Sequence, residues 1–124
     1  MTLIDSHCHL NYEGLVERQA EVLENARARG VAGFLNISTR QREWGEIVGL
    51  AEREPDVWAS VGVHPHEADT HPDLGAAALV EAADHPRVIA IGKCGLGGTG
   101  APRAGSSSTP TARSRGRSFS ASAR

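Results

Sequence analysis

Two pairs of histidines, each with one residue between its members, are the features of this sequence most able to do chemistry. His7 and His9 lie in the segment Ile-Asp-Ser-His-Cys-His-Leu near the N-terminus, and His64 and His66 lie in Gly-Val-His-Pro-His. Side chains two residues apart in an extended chain point the same way, so each pair can present two imidazoles to one metal ion. Taken alone, either pair is also consistent with solvated histidines, and an exposed turn set by Pro65 is the simpler interpretation of the second.

The elements that must position these histidines alternate between strand and helix. Short apolar segments predict four strands, and apolar residues at helical spacing between them predict three helices. The predicted strands, the first of them short and buried, cover residues 2–5, 31–37, 57–63 and 88–91. We expect Gly30 to end the first helix, Thr39 to cap the second and Pro72 to open the third.

Strands that alternate with helices in this way form parallel βαβ units with right-handed crossovers. Such folds build their sites at the carboxyl ends of the strands, and both histidine pairs follow a predicted strand. A complete (β/α)8 barrel needs roughly 250 residues, whereas this chain has 124. The sequence therefore predicts an α/β fold that corresponds to about the first four strands of a partial TIM-type (β/α)8 barrel.

Residues 97–124 differ in composition from the rest of the chain. Apart from Phe119 they consist of Gly, Ala, Ser, Thr, Pro and Arg, with 5 Arg and no acid, whereas residues 1–96 carry 15 acidic and 8 basic residues. Such a segment cannot bury enough apolar surface to order itself. We therefore divide the chain into a barrel part, 1–96, and a disordered basic tail, 97–124. As the origin of the tail, we favour GC-rich coding DNA read in the wrong frame over a genuine flexible extension.

The cysteine content and the hydropathy indicate the compartment. Cys8 and Cys94 are the only cysteines, too few for a disulfide framework. No apolar run approaches the roughly 20 residues that span a membrane. We expect a cytoplasmic protein that has no membrane partner.

Three strand-end motifs, taken in order, carry a resemblance to a known family. They are Ile-Asp-Ser-His-Cys-His-Leu at 4–10, Val-Gly-Val-His-Pro-His at 61–66 and Ile-Ala-Ile-Gly-Lys-Cys-Gly-Leu at 89–96. Through these motifs, residues 1–96 resemble the TatD family of metal-dependent hydrolases. The resemblance implies a (β/α)8 hydrolase of the deoxyribonuclease type that cleaves phosphodiester bonds with two divalent metal ions. It leaves open whether the substrate is DNA, RNA or another phosphodiester, and whether the metal is Mg, Mn, Zn or Co.

The resemblance also implies roles for individual residues. His7 and His9 match the family's first two metal ligands, and His64 matches a histidine that contacts substrate phosphate, with His66 beside it. Lys93 stands where the family has a glutamate that bridges the metals. A protonated lysine can only donate hydrogen bonds, and it repels a dication. Carboxylation of this lysine would restore an acidic ligand, but a single base change from a Glu codon is the simpler explanation.

The resemblance ends where the low-complexity segment begins. The family continues with Gly-Leu-Asp and aromatic residues, whereas Gly95 and Leu96 are followed here by two further glycines. The later strands, which in the family supply two more histidines and an aspartate, have no counterpart. We therefore expect a truncated and inactive form of the hydrolase, whose open sheet edges promote non-specific self-association.

Two other functions are consistent with parts of the sequence. The arginines of 97–124 suit a non-catalytic nucleic-acid binder that contacts phosphates. The first histidine pair would also suit a different barrel with such a pair, either an amidohydrolase or a phosphoesterase of the histidinol-phosphatase type. The His64-Pro65-His66 element and the Gly-Lys-Cys-Gly-Leu run argue against that last alternative.

Overall fold

Four parallel strands, arranged in chain order, form the sheet of this protein. The computed structural model describes residues 1–71 and 73–94. Neighbouring strands pair in the order β1-β2-β3-β4, all parallel. The strands are β1 Leu3–Cys8, β2 Val31–Asn36, β3 Val57–Val63 and β4 Val88–Cys94, and the helices are α1 Gln19–Ala28, α2 Trp44–Arg53 and α3 Ala76–Ala83. This architecture confirms the predicted α/β fold with four strands. The predicted disordered tail lies outside the described residues.

The best-packed part of the core lies between β3 and α2. Strand β3 buries nearly its whole length, because α2 covers it and strands lie on both sides of it. Helix α2 presents an apolar stripe at helical spacing, and its buried members are Trp44, Ile47, Leu50 and Ala51. Strand β3 and helix α2 together form a rigid support for the residues that follow β3.

Strand β1 differs from its prediction in length and in burial. It extends to Cys8 and is exposed along most of its length, with Leu3 47% and Ile4 65% exposed. Within the described residues it is an edge strand, hydrogen-bonded to β2 alone, and α1 packs chiefly against β2. The prediction of a buried first strand was therefore wrong for this part of the chain, because burial depends on neighbours and not on the strand's own composition.

The helix boundaries follow the predicted breakers only in part. Gly30 follows α1 with φ +93°, and a Cβ there would lie 2.9 Å from the Met1 carbonyl oxygen, so glycine is required. Thr39 does not cap α2. Its N–H and its hydroxyl instead donate to Glu43 Oε2 at 3.1 and 2.9 Å, and a 3-10 turn precedes the helix.

Helix α3 and strand β4 also differ from the predicted ranges. The helix begins at Ala76, several residues later than expected, and Pro72 lies outside the described residues. Strand β4 extends three residues past its predicted end, so that Lys93 lies within it. Among the described residues, none of the helices is long and apolar enough to cross a membrane.

Candidate metal and phosphate site

The predicted site residues lie at one edge of the sheet, the carboxyl ends of parallel strands. Cys8 pairs with the last residue of β2, and Val63 pairs with Cys94, so that β1, β3 and β4 end near the same edge. The backbone N–H of His64 donates to the Thr39 carbonyl at 2.8 Å. This bond joins the loop after β3 to the loop after β2.

The first histidine pair is arranged around one oriented imidazole. The rings of His7 and His9 lie 5.1 Å apart between centroids, edge to face. His9 Nδ1 lies 3.0 Å from the Ile37 carbonyl oxygen. Because a carbonyl only accepts, Nδ1 must carry the hydrogen, and a neutral ring then has its lone pair on Nε2. Metal-binding histidines are oriented in this way by a carbonyl on the opposite ring nitrogen.

Groups from the end of β2 hold the loop that carries this pair. Asn36 is fully buried; its Oδ1 accepts from the Leu10 N–H at 3.0 Å and its Nδ2 donates to Asn11 Oδ1 at 2.7 Å. The Ile37 N–H donates to the Cys8 carbonyl at 2.8 Å. The sequence analysis missed Asn36, although a polar residue that ends an apolar strand is a signal that can be read from sequence.

Cys8, which lies between the two histidines, has a structural role. Burial, followed by the nearby Asp5 carboxylate, raises the pKa of the Cys8 thiol to about 12. The thiol therefore stays protonated at neutral pH, and it donates to the Leu35 carbonyl with its Sγ 3.4 Å away. The sulfur is therefore engaged with the β2 backbone, while the two imidazoles on either side of it are the nitrogen ligands that the first motif offers.

The second histidine pair has the opposite arrangement of ring protons. His64 caps a 3-10 turn, Pro65–Thr70, and its Nδ1 accepts the N–H of His66 at 3.1 Å. A neutral His64 ring then carries its hydrogen on Nε2, which makes that atom a donor. The rings of His64 and His66 lie 4.7 Å apart between centroids. A donor nitrogen suits an anionic oxygen better than a metal ion.

Tyr12 connects the two pairs. Its ring stacks on His9 with centroids 4.5 Å apart and planes 14° from parallel. Tyr12 also lines an open cavity of about 460 Å³ together with both members of the second pair. The other residues lining this cavity are Glu13, Thr39, Arg40 and Glu67. The structure thus brings His9 and His64 to one surface.

The described residues fit only part of a metal centre. They contain no group of three His, Cys, Asp or Glu side chains that could hold an ion together. His7 and His9 supply two nitrogen ligands, whereas a protein zinc site usually has three or four. Lys93 lies at the carboxyl end of β4, as predicted for the family's bridging glutamate, but its side chain lies outside the described part of the structure.

These features place the chain among α/β proteins of the barrel type that carry histidine pairs at the carboxyl ends of their strands. More specifically, the chain belongs to the TatD-related DNase family, whose model matches residues 4–111. The family is metal-dependent, and this membership favours the TatD hypothesis over an amidohydrolase or a histidinol-phosphatase type of barrel.

Curated relatives match a large part of this chain. A 3'-5' ssDNA/RNA exonuclease TatD of Musicola paradisiaca is 43% identical over 76 residues, which are 60% of this chain and 29% of that protein. The protein of the same name from Erwinia tasmaniensis is 35% identical over 95 residues, 76% of this chain and 37% of the relative. This chain therefore spans about a third of the length of such relatives.

A solved structure agrees with the fold. YJJV, a TatD homolog from Escherichia coli, superposes with a TM-score of 0.62 at 22% identity. The match covers 73% of this chain and 36% of that one. At this identity the likeness supports the barrel-type fold alone.

Proposed function

We propose that this chain is the N-terminal part of a metal-dependent hydrolase that cleaves phosphodiester bonds in single-stranded nucleic acid. The observation that carries the proposal is the pair of opposite ring tautomers at one edge of the sheet, where His9 is set to accept through Nε2 and His64 to donate through Nε2. The relatives named as 3'-5' ssDNA/RNA exonucleases support DNA or RNA as the substrate.

In this proposal His7 and His9 are metal ligands. Their rings are close enough for one ion, and the Ile37 carbonyl holds His9 in the tautomer that ligation requires. A divalent ion held there supplies Lewis-acid chemistry toward water and the phosphodiester, and Mg, Mn, Zn and Co all remain candidates.

His64 binds the substrate phosphate through its Nε2–H, with His66 beside it. The backbone N–H of His66 donates to Nδ1 of His64 and so holds the ring in the tautomer whose Nε2 donates. The cavity lined by His64 and Tyr12 is open to solvent and has a volume of about 460 Å³. Tyr12 contributes an aromatic face at the same surface.

Lys93 opposes this function. A cation at the position of the bridging glutamate repels the metal, so the chain with Lys93 binds divalent ions weakly and does not turn over substrate. The inactivity of this chain and its cytoplasmic location remain predictions from the sequence.

Metal titration of the full chain tests the proposal. We expect Lys93→Glu to bind Mn²⁺ at least about tenfold more tightly than the parent chain, because a repulsive cation becomes a ligand. His9→Ala in the Lys93→Glu background should reverse that gain, and His85→Ala, which loses a histidine bonded to Glu52 on another surface, should not. Isothermal titration calorimetry measures all four affinities. Equal affinities in the parent chain, Lys93→Glu and the His9→Ala double variant would contradict the proposed site.

A further inference from the structure

A second cavity adjoins the one that holds His64. It has a volume of about 410 Å³ and is lined by Arg40, Arg42, Glu67, Thr70 and His71. Arg40 and Glu67 line both cavities, so the two form one continuous surface. Nothing in the proposed metal and phosphate chemistry uses the second cavity.

The charges of this cavity favour an anion. Arg40 donates to Glu67 Oε1 at 2.8 Å, which orients its guanidinium between the two cavities. The hydrogen bond from Arg40 lowers the pKa of the Glu67 carboxyl, and the more distant charge of Arg42 lowers it further. The residues that line this cavity thus include two guanidinium groups and one carboxylate, which is paired with Arg40. The Glu43 carboxylate, outside this lining, also lies in the field of Arg40.

The two arginines lie just before the N-terminus of a helix. Arg40 directly precedes the 3-10 turn Gln41–Glu43, and Arg42 lies within it. This turn leads directly into the N-terminal end of α2. The helix dipole favours negative charge at that end and disfavours cations. Glu43 and Glu46 supply negative charge at this end, and an anionic ligand would be attracted both by the guanidinium groups and by the helix N-terminus.

His71 holds the two sides of the cavity together. Its Nδ1 donates to the Glu67 carbonyl at 2.9 Å, and its Nε2 accepts the Gln41 N–H at 3.2 Å. The turn after β3 and the turn before α2 are therefore joined through one ring. This connection joins the turn that carries Arg42 to the turn that His64 caps.

We propose that Arg40 and Arg42 form a second phosphate subsite, which binds the phosphate of a nucleotide neighbouring the one that contacts His64. This inference rests on the proposed function. It adds the path of the bound nucleic acid, which runs from Tyr12 and His64 across the Arg40–Glu67 pair to Arg42. The arginine fork matches phosphate oxygens in bidentate geometry, and the guanidinium stays charged at every working pH.

Salt-dependent binding of single-stranded DNA by the full chain tests the subsite. The probe is a fluorescein-labelled oligodeoxythymidine of ten nucleotides, followed by anisotropy at several salt concentrations without divalent metal. We expect Arg42→Ala to weaken binding about tenfold, the low end for a lost charged hydrogen bond. The slope of log K against log salt should fall in magnitude by about 0.7, as for one phosphate contact on a single strand. Arg53→Ala, an exposed arginine at the other end of α2, should change neither quantity.

The charge-retaining variant separates contact from general charge. Arg42→Lys should keep the parent salt slope but lose part of the affinity, because an ammonium group cannot form the bidentate contact. Equal loss in Arg42→Ala and Arg53→Ala would overturn the subsite and indicate attraction by net charge alone. Circular dichroism of each variant checks that the fold is kept.

Failure of the subsite and failure of the proposed function give different results. If His64→Ala weakens DNA binding while Arg42→Ala leaves affinity and slope unchanged, the subsite is wrong and the function stands. If the parent chain does not bind the probe, the subsite is wrong, and the Mn²⁺ titration still decides the metal site. Weakening by Arg42→Ala but not by His64→Ala supports the subsite and removes the phosphate role of His64.

Discussion

Strands β1 and β3 carry the same kind of motif on very different supports. His7 and His9 lie on either side of the last residue of β1, and His64 and His66 follow β3. Strand β3 is buried under α2 between two neighbours, whereas β1 is a largely exposed edge of the described sheet. The second pair is therefore held by strand packing and a cap, and the first by hydrogen bonds from the end of β2. The same sequence pattern is thus stabilised by different interactions in the two regions.

The difference also bears on association. The described sheet has β1 at one edge and β4 at the other, and β1 exposes Leu3 and Ile4. Unpaired strand edges with apolar neighbours are sites of strand addition. The self-association expected from the sequence stays a prediction, and β1 is the edge where we expect it.

Removing one isoleucine from each region should give the largest contrast. Ile47 on α2 is 1% exposed and packs in the main core cluster, whereas Ile4 on β1 is 65% exposed. We expect Ile47→Ala to lower the free energy of unfolding by about 2–4 kcal/mol, through lost burial and the cavity left behind. Ile4→Ala should change it by less than about 0.5 kcal/mol. Urea denaturation followed by circular dichroism measures both, and equal losses would show that β1 is buried in solution.

The next largest effect concerns the support of the first histidine pair. Asn36→Ala leaves the buried Leu10 N–H without its acceptor and removes the contact to Asn11. We expect a loss of about 1–3 kcal/mol in the free energy of unfolding. Asn25→Ala, on the exposed face of α1, is the matched control and should be close to neutral. If both variants were neutral, the loop after β1 would not depend on β2.

Much of the fold could be predicted from the sequence, and the reasons differ by element. Strand β3 matches its predicted range because a run of apolar residues flanked by breakers is a local signal. The exposure of β1 could not be predicted, because it depends on which elements cover it. The start of α2 was missed since it is set by the bonds between Thr39 and Glu43.

The two histidine motifs could be identified from the sequence, but the different ring tautomers of the two pairs could not. The tautomers of His9 and His64 depend on the Ile37 carbonyl and the His66 amide. The Ile37 carbonyl comes from another part of the chain, and the His66 amide meets His64 only in a specific turn. Arg40 and Arg42 were likewise overlooked, because their common cavity forms only when the turns after β2 and β3 meet.

A smaller effect concerns the ion pair that ties α1 to the start of β3. Arg27 donates to Asp56 at 2.6 and 2.7 Å and to Glu54 at 2.7 Å. The hydrogen bonds from Arg27 lower the pKa of Asp56 below its ordinary value. Because the folded pKa is the lower one, ionised Asp56 stabilises the fold above its unfolded pKa of roughly 3.9. That contribution is lost as the pH falls through the folded pKa.

Replacing Asp56 tests this ion pair. We expect Asp56→Asn to cost at most about 1 kcal/mol at neutral pH, since Arg27 is partly exposed and water screens the pair. The variant should also lose less stability than the parent chain between pH 5 and 2. Asp84→Asn, at an exposed position after α3, serves as the control for charge. Parallel stability curves for the parent chain and Asp56→Asn would show that Asp56 is not paired in solution.

The most direct test of the division between the two histidine pairs is nitrogen-15 NMR of the imidazole rings of the full chain, with and without Zn²⁺. We expect neutral His9 to carry its hydrogen on Nδ1 and neutral His64 on Nε2, as their hydrogen bonds require. Zinc, added to the Lys93→Glu chain so that the Lys93 cation does not weaken binding, should then shift the Nε2 resonances of His7 and His9 and leave those of His64 in place. Identical tautomers in His9 and His64, or an equal zinc shift in both pairs, would contradict the assignment of one pair to metal and the other to phosphate.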